Sequence, residues 1–172
     1  MVSRITKSLI FLMLSSLLSF AYAEQKNMNQ DSLWQIIKQL KSAWGKQADD
    51  VSKILRHPLV RTNPAADDRY TSVPFTLADG TIIADLDVRL WGNGNNSVSL
   101  ISFAIDGSCV TLEQVKKHFP DVKLSNIPRG NNAGQSVGYR TAVDETGLAW
   151  AFNFPVLNQE CLKSIVISRY DR

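Results

Sequence analysis

Ala84-Asp85-Leu86-Asp87-Val88-Arg89-Leu90-Trp91 alternates small or apolar residues with charged or aromatic ones at a period of two. That period is the signature of a β-strand with one face on a core and the other in water. Ala84, Leu86, Val88 and Leu90 take the inward face, and Asp85, Asp87, Arg89 and Trp91 form the outward row. Upstream, Asp79-Gly80 is a hairpin turn signal following a first strand from Tyr70 to Leu77. Downstream, Gly92-Asn93-Gly94-Asn95-Asn96 turns the chain into a third strand, Ser97 to Ile105, apolar enough on both faces to be central or covered.

On either side of this meander the period changes to that of a helix. Leu33, Ile37, Leu40, Trp44, Ala48, Val51 and Leu55 recur at steps of three and four, which makes one apolar helical face. Gly45 and the following Asp49-Asp50 divide it into two helices, since Gly weakens a helix interior and Asp favours a helix start. Pro58 ends the segment, and Arg61 to Arg69 reads as a surface connection. Thr111 and Gln114 form a capping box and Val110 and Val115 a hydrophobic staple, with Leu112, Val115 and Phe119 facing inward before Pro120. After the loop Ile127 to Gln135 come strands Ser136 to Val143, Leu148 to Phe154 and Cys161 to Arg169, the first two joined by a turn at Asp144-Glu145-Thr146-Gly147.

The order is therefore helix, three strands, helix, three strands. We expect an α+β fold with the helices packed on one face of an antiparallel sheet, the opposite face being left for solvent or a partner. The repeated order suggests tandem helix-β-β-β units, 31–108 and 109–172, fused into one domain over 24–172. The segments Asp49-Asp50-Val51-Ser52-Lys53-Ile54-Leu55 and Leu112-Glu113-Gln114-Val115-Lys116-Lys117-His118-Phe119 each lead into antiparallel strands. In this the chain resembles the beta-lactamase-inhibitor-protein and outer-membrane-assembly small lipoprotein units. Leu55-Arg56-His57-Pro58 stands where those units commonly end in Leu-Gly-x-Pro. The resemblance implies an exported protein that binds other proteins through its open sheet face, some such proteins being inhibitors; it carries over no functional residue.

Residues 1–23 read as a secretory signal peptide, with Arg4 and Lys7 before an apolar run from Leu9 to Phe20 and Ala21-Tyr22-Ala23 before Glu24. The run is shorter than the roughly 20 residues a bilayer requires, and no cysteine follows at the cleavage position to take a lipid, so a periplasmic protein without a membrane anchor is expected. Losing Arg4 and Lys7 from 19 basic residues leaves 17 against 16 acidic ones, so the formal charge of +3 falls to +1. Nucleic acid is not an expected partner, because phosphate binding requires clustered cations. The two cysteines, Cys109 and Cys161, are expected to form a structural disulfide in an oxidising compartment rather than to act as a thiol nucleophile or redox pair.

The sequence offers little for catalysis or cofactors. Its two histidines, His57 and His118, do not make a metal cluster, and no nucleophile elbow, phosphate loop or dinucleotide fingerprint is present. No cofactor and no metal are expected. Asp85 and Asp87 are spaced as a carboxylate pair, but Arg89 continues their row and favours an ion-paired strand face. With Trp91 the row has the mixture of aromatic anchor and charge found in protein interfaces. Arg129, Asn131 and Asn132 form a second candidate contact surface on a loop. The expected function is that of a periplasmic inhibitor or immunity-type protein that neutralises an envelope-acting enzyme or toxin by occlusion. The alternatives are an envelope assembly or scaffolding factor, a glycan or peptidoglycan hydrolase using Asp85 and Asp87, and a small-ligand carrier.

Overall fold

The computed structural model describes residues 32–62, 68–92, 96–130, 132 and 134–170. The expected leader and Asn131 lie outside them. Within the described residues are three helices, α1 (Leu33–Leu40), α2 (Ala48–Leu55) and α3 (Leu112–His118), and nine strands. The strands are β1 (Val60–Arg61), β2 (Arg69–Thr71), β3 (Phe75–Thr76), β4 (Ile82–Leu90), β5 (Val98–Asp106), β6 (Lys123–Asn126), β7 (Ser136–Arg140), β8 (Leu148–Pro155) and β9 (Ser164–Arg169). They form one antiparallel sheet in the order β1-β2-β4-β5-β9-β8-β7-β6, with β3 on the first half of β4. The protein is thus α+β, and β5 is central as its two-sided apolar content requires.

The helices begin and end for local reasons. A capping box at Ser32 and Gln35 starts α1, whose first amide, Leu33 N, also donates to Asp79 Oδ2 at 2.8 Å from the β3–β4 turn. A 3-10 turn at Lys41–Ala43 and the left-handed Gly45 separate it from α2. At α3 the Thr111 backbone amide donates to Gln114 Oε1 at 2.8 Å, and Val110 and Val115 are both buried, which is the expected box and staple. A single core joins Leu33, Ile36, Ile37, Val51 and Val115 from the helices to Ile101, Phe103, Phe152 and Ile165 from the sheet. All three helices therefore cover the same face.

Three departures from the sequence expectation have physical causes. The expected strand Tyr70 to Leu77 is two short pieces, β2 and β3, on either side of Pro74, which has no amide to donate to the ladder. The polar edge strand β6 precedes β7, so the second half holds four strands after its helix instead of three; all four β6 residues are exposed, so it carries no alternation to read. The third departure alters the deciding strand. Ala84 faces Ala104 while Asp87 faces Ser102, so three steps on β4 match two on β5, and Asp85 occupies this β-bulge at φ 48°.

The bulge exchanges which residues are buried in the core. An unbroken alternation would put Ala84 inside and Ile83 outside; the bulge puts Ile83 in the core at 0% exposure and leaves Ala84 on the opposite face. Burying Ile rather than Ala gains about three methylenes, or roughly 2 kcal/mol. That exceeds the roughly 1 kcal/mol that a left-handed Asp costs, Asp being among the residues that tolerate this region. Asp85→Val, β-branched at the same φ, should lose about 1–2 kcal/mol in urea unfolding while Asp85→Gly stays close to wild type. A valine variant as stable as the parent would remove this account of the strand.

Candidate binding surface

The face not covered by helices is built from cross-strand ladders. One of them crosses six strands in register: Asp87 pairs with Ser102, Ser102 with Val166, Val166 with Ala151, Ala151 with Arg140, and Arg140 with Lys123. Five strand spacings make it roughly 24 Å long. Its middle is small and half-buried, Ser102, Val166 and Ala151, and charge sits at both ends. Adjacent ladders continue the small-residue character with Ser168, Ala149, Ala104 and Ser164.

At one end, Arg69 lies directly opposite Arg89 across β2 and β4. Two like charges in that relation repel. Asp87 resolves the conflict: its Oδ1 and Oδ2 accept from Arg69 Nε at 2.6 Å and Nη2 at 2.8 Å, and Oδ2 accepts from Arg89 Nε at 3.0 Å. Burial pushes the Asp87 carboxyl pKa up, but the hydrogen bonds and positive charges of Arg69 and Arg89 outweigh it and hold the group below the ordinary carboxylate value. With its oxygens committed and its proton affinity lowered, Asp87 acts as a clamp and is poorly suited to proton transfer near neutral pH.

The outward row expected from the sequence is therefore not a single row. Asp87 is 8% exposed rather than wet, Arg89 is exposed beside it, and Asp85 sits exposed in the bulge without an ion-pair partner among the described residues. Trp91 lies past the end of β4, 41% exposed, with its ring edge-on to Trp44 at 6.2 Å. Trp44 follows the helical layer; its Nε1 donates to Ser99 O at 3.1 Å, and the Arg169 guanidinium lies 5.3 Å from its ring centre. Trp91 thus joins a rim cluster between helices and sheet, not the Asp87 row. Neighbouring this rim, Lys41 meets Asp144 at 2.6 Å over a cleft of about 410 Å³ lined by Lys38, Phe119 and Trp150. Burial raises the Asp144 pKa, but bonds from Lys41, Thr146 and the Leu148 amide lower it far below the ordinary range.

Strand direction separates the second expected surface from the first. β4 and β9 run the same way, so Trp91 and Arg169 share one end of the sheet, whereas the β6–β7 connection carrying Arg129 and Asn132 lies at the other end and on the opposite flank. Both residues are exposed, and Asn132 O accepts from Gln135 N at 2.9 Å. His118 stacks on Trp34 at 4.2 Å, and burial with Lys38 and Lys117 nearby holds its pKa below the usual imidazole value. Cys109 and Cys161 are bonded. Among the described residues no cluster of three metal-ligating side chains occurs, and no helix is long and apolar enough to cross a membrane. Sequence reading missed Arg69, Lys123 and Arg140, because their importance comes from register with residues far along the chain. Searches found no matching family model, curated protein or solved structure, so the resemblance noted above remains one of element order.

Proposed function

We propose that this is an exported protein-binding module of the periplasm that neutralises an envelope-acting enzyme or toxin by laying the open face of its sheet over it. The leader-like N-terminus and the disulfide support the compartment. The single observation that carries the binding assignment is the charged ladder. Small side chains at Ser102, Val166 and Ala151 let a partner approach the sheet closely, and fixed charges at both ends give register and orientation. A ladder of roughly 24 Å suits a contact of about 800 Å² per partner, the usual size of a specific complex.

The test is a binding measurement with the natural target, sought beside the gene and by affinity capture from periplasmic extract and mixed competitor cultures. Val166→Glu, in the middle of the ladder, should weaken the complex by on the order of a hundredfold, since a buried unpaired charge costs several kcal/mol at an interface. Restored activity of the target enzyme in the same assay identifies inhibition; unchanged target activity with an envelope defect on deletion identifies an assembly factor instead. A Val166→Glu protein that is folded and binds at full strength would overturn the assigned face.

A further inference from the structure

The far end of the ladder repeats the problem that Asp87 solves at the near end, without the solution. Lys123 is directly opposite Arg140, two cations in cross-strand register, as Arg69 is opposite Arg89. Such a pair is destabilising on its own. No carboxylate of the described residues lies within ion-pair distance of either one. Asp121 lines the same hollow and its Oδ2 accepts from the Ala142 amide at 2.7 Å, but it makes no ion pair with either cation, so the hollow keeps a net positive charge. The hollow has a volume of about 470 Å³, with Lys123, Ser125, Arg140 and Thr141 also on its walls. The Arg140 guanidinium is held over the Tyr170 ring at 4.4 Å, which orients it before anything binds and leaves its N–H groups able to donate.

We propose that Lys123 and Arg140 form a receptor for a carboxylate, supplied by an aspartate or glutamate side chain of the bound protein partner. The incoming group takes the place that Asp87 takes between Arg69 and Arg89, so the molecule contains its own filled example of the site. A planar carboxylate matches the guanidinium fork, and Lys123 adds a mobile second charge. The assignment rests on the open face as the partner surface, but it can be tested without the partner.

Isotopically labelled full-length mature protein is titrated with an N-acetylated, C-amidated tri-glutamate peptide, with the tri-glutamine peptide and with inorganic phosphate, all at matched ionic strength. The expected result is a saturable shift of the Arg140 Nε–Hε and Lys123 and Ala142 amide resonances with tri-glutamate alone. Arg69 and Arg89, already bridged by Asp87, should not move. The double change Lys123→Gln and Arg140→Gln should abolish the shift of the Ala142 amide, which both proteins retain, and weaken the partner complex on the order of tenfold, with a shallower salt dependence. Lys123→Gln should also raise the Tm of the unliganded protein by on the order of 1 °C at low salt, where a merely structural lysine would lower it. Stronger shifts with phosphate, shifts that survive the double change, or equal shifts at Arg89 would overturn the carboxylate receptor. A partner lost on Val166→Glu but indifferent to the double change would sink the receptor and leave the face; peptide binding without any effect of Val166→Glu on the partner would do the reverse.

Discussion

Replacing Cys109 and Cys161 together by serine is expected to lower the unfolding free energy by roughly 4 kcal/mol, the loop-closure value for the 52 residues the bridge spans. The bridge ties the segment that enters α3 to the segment that enters β9, so it fastens the last strand beside the central β5. The backbone beside it is already paired, with Leu162 N donating to Val110 O at 2.8 Å and both side chains buried. The native contacts can therefore form without the bond, and its main effect falls on the unfolded chain. Urea unfolding of the parent with and without reductant should show the full difference, and reductant should leave the double variant unchanged. A difference under about 1 kcal/mol would mean that the unfolded chain is already compact around these segments. Loss on this scale takes much of a small domain's margin of about 5–15 kcal/mol. Such a protein is suited to an oxidising compartment and should be poorly stable in a reducing one.

What the sequence discloses and what it conceals divide along the range of the interaction. Thr111 with Gln114, Gly45 between two helices, and the alternation Leu86, Val88, Leu90 are local, and each is present in the fold where its spacing puts it. The bulge at Asp85 left a trace as well: Ile83 next to Ala84 would be stranded on the outer face of an unbroken strand, and only a shift of frame buries it. The pairings of the candidate surface left no such trace. Arg69 and Asp87, and Lys123 and Arg140, are brought together by sheet register, which depends on how β2, β4, β6 and β7 find one another, and Trp44 and Trp91 by the packing of the helical layer on the sheet. A charged residue in an edge strand such as Lys123 reads as ordinary surface until its opposite number is known.

Asp87→Ala should be the most damaging single change on the open face, lowering stability by about 2–3 kcal/mol. The loss has two parts: the charge-assisted hydrogen bonds to Arg69 and Arg89 disappear, and the two guanidiniums are left opposed across the ladder. Both arginine side chains are about half exposed, at 45% and 53%, so water softens the repulsion and the loss falls short of that for a fully buried pair. Asp87→Asn should lose less, because an amide oxygen still accepts from one arginine. The pH dependence separates charge from shape. The folded carboxyl titrates below its usual 3.8, so in acid the unfolded chain binds the proton more readily and stability falls as pH falls. The stabilisation from Asp87 is therefore whole above about pH 5 and is lost as the solution is acidified through the lowered folded value. The gap between the parent and Asp87→Asn should be constant from about pH 5 to 8 and narrow steadily below about pH 4. Adding Arg89→Gln to Asp87→Ala should recover part of the loss, since it removes one of the opposed cations. A gap that ignores pH, or a double variant worse than the sum of its parts, would show that Asp87 stabilises the strand by packing and not as the anion between two arginines.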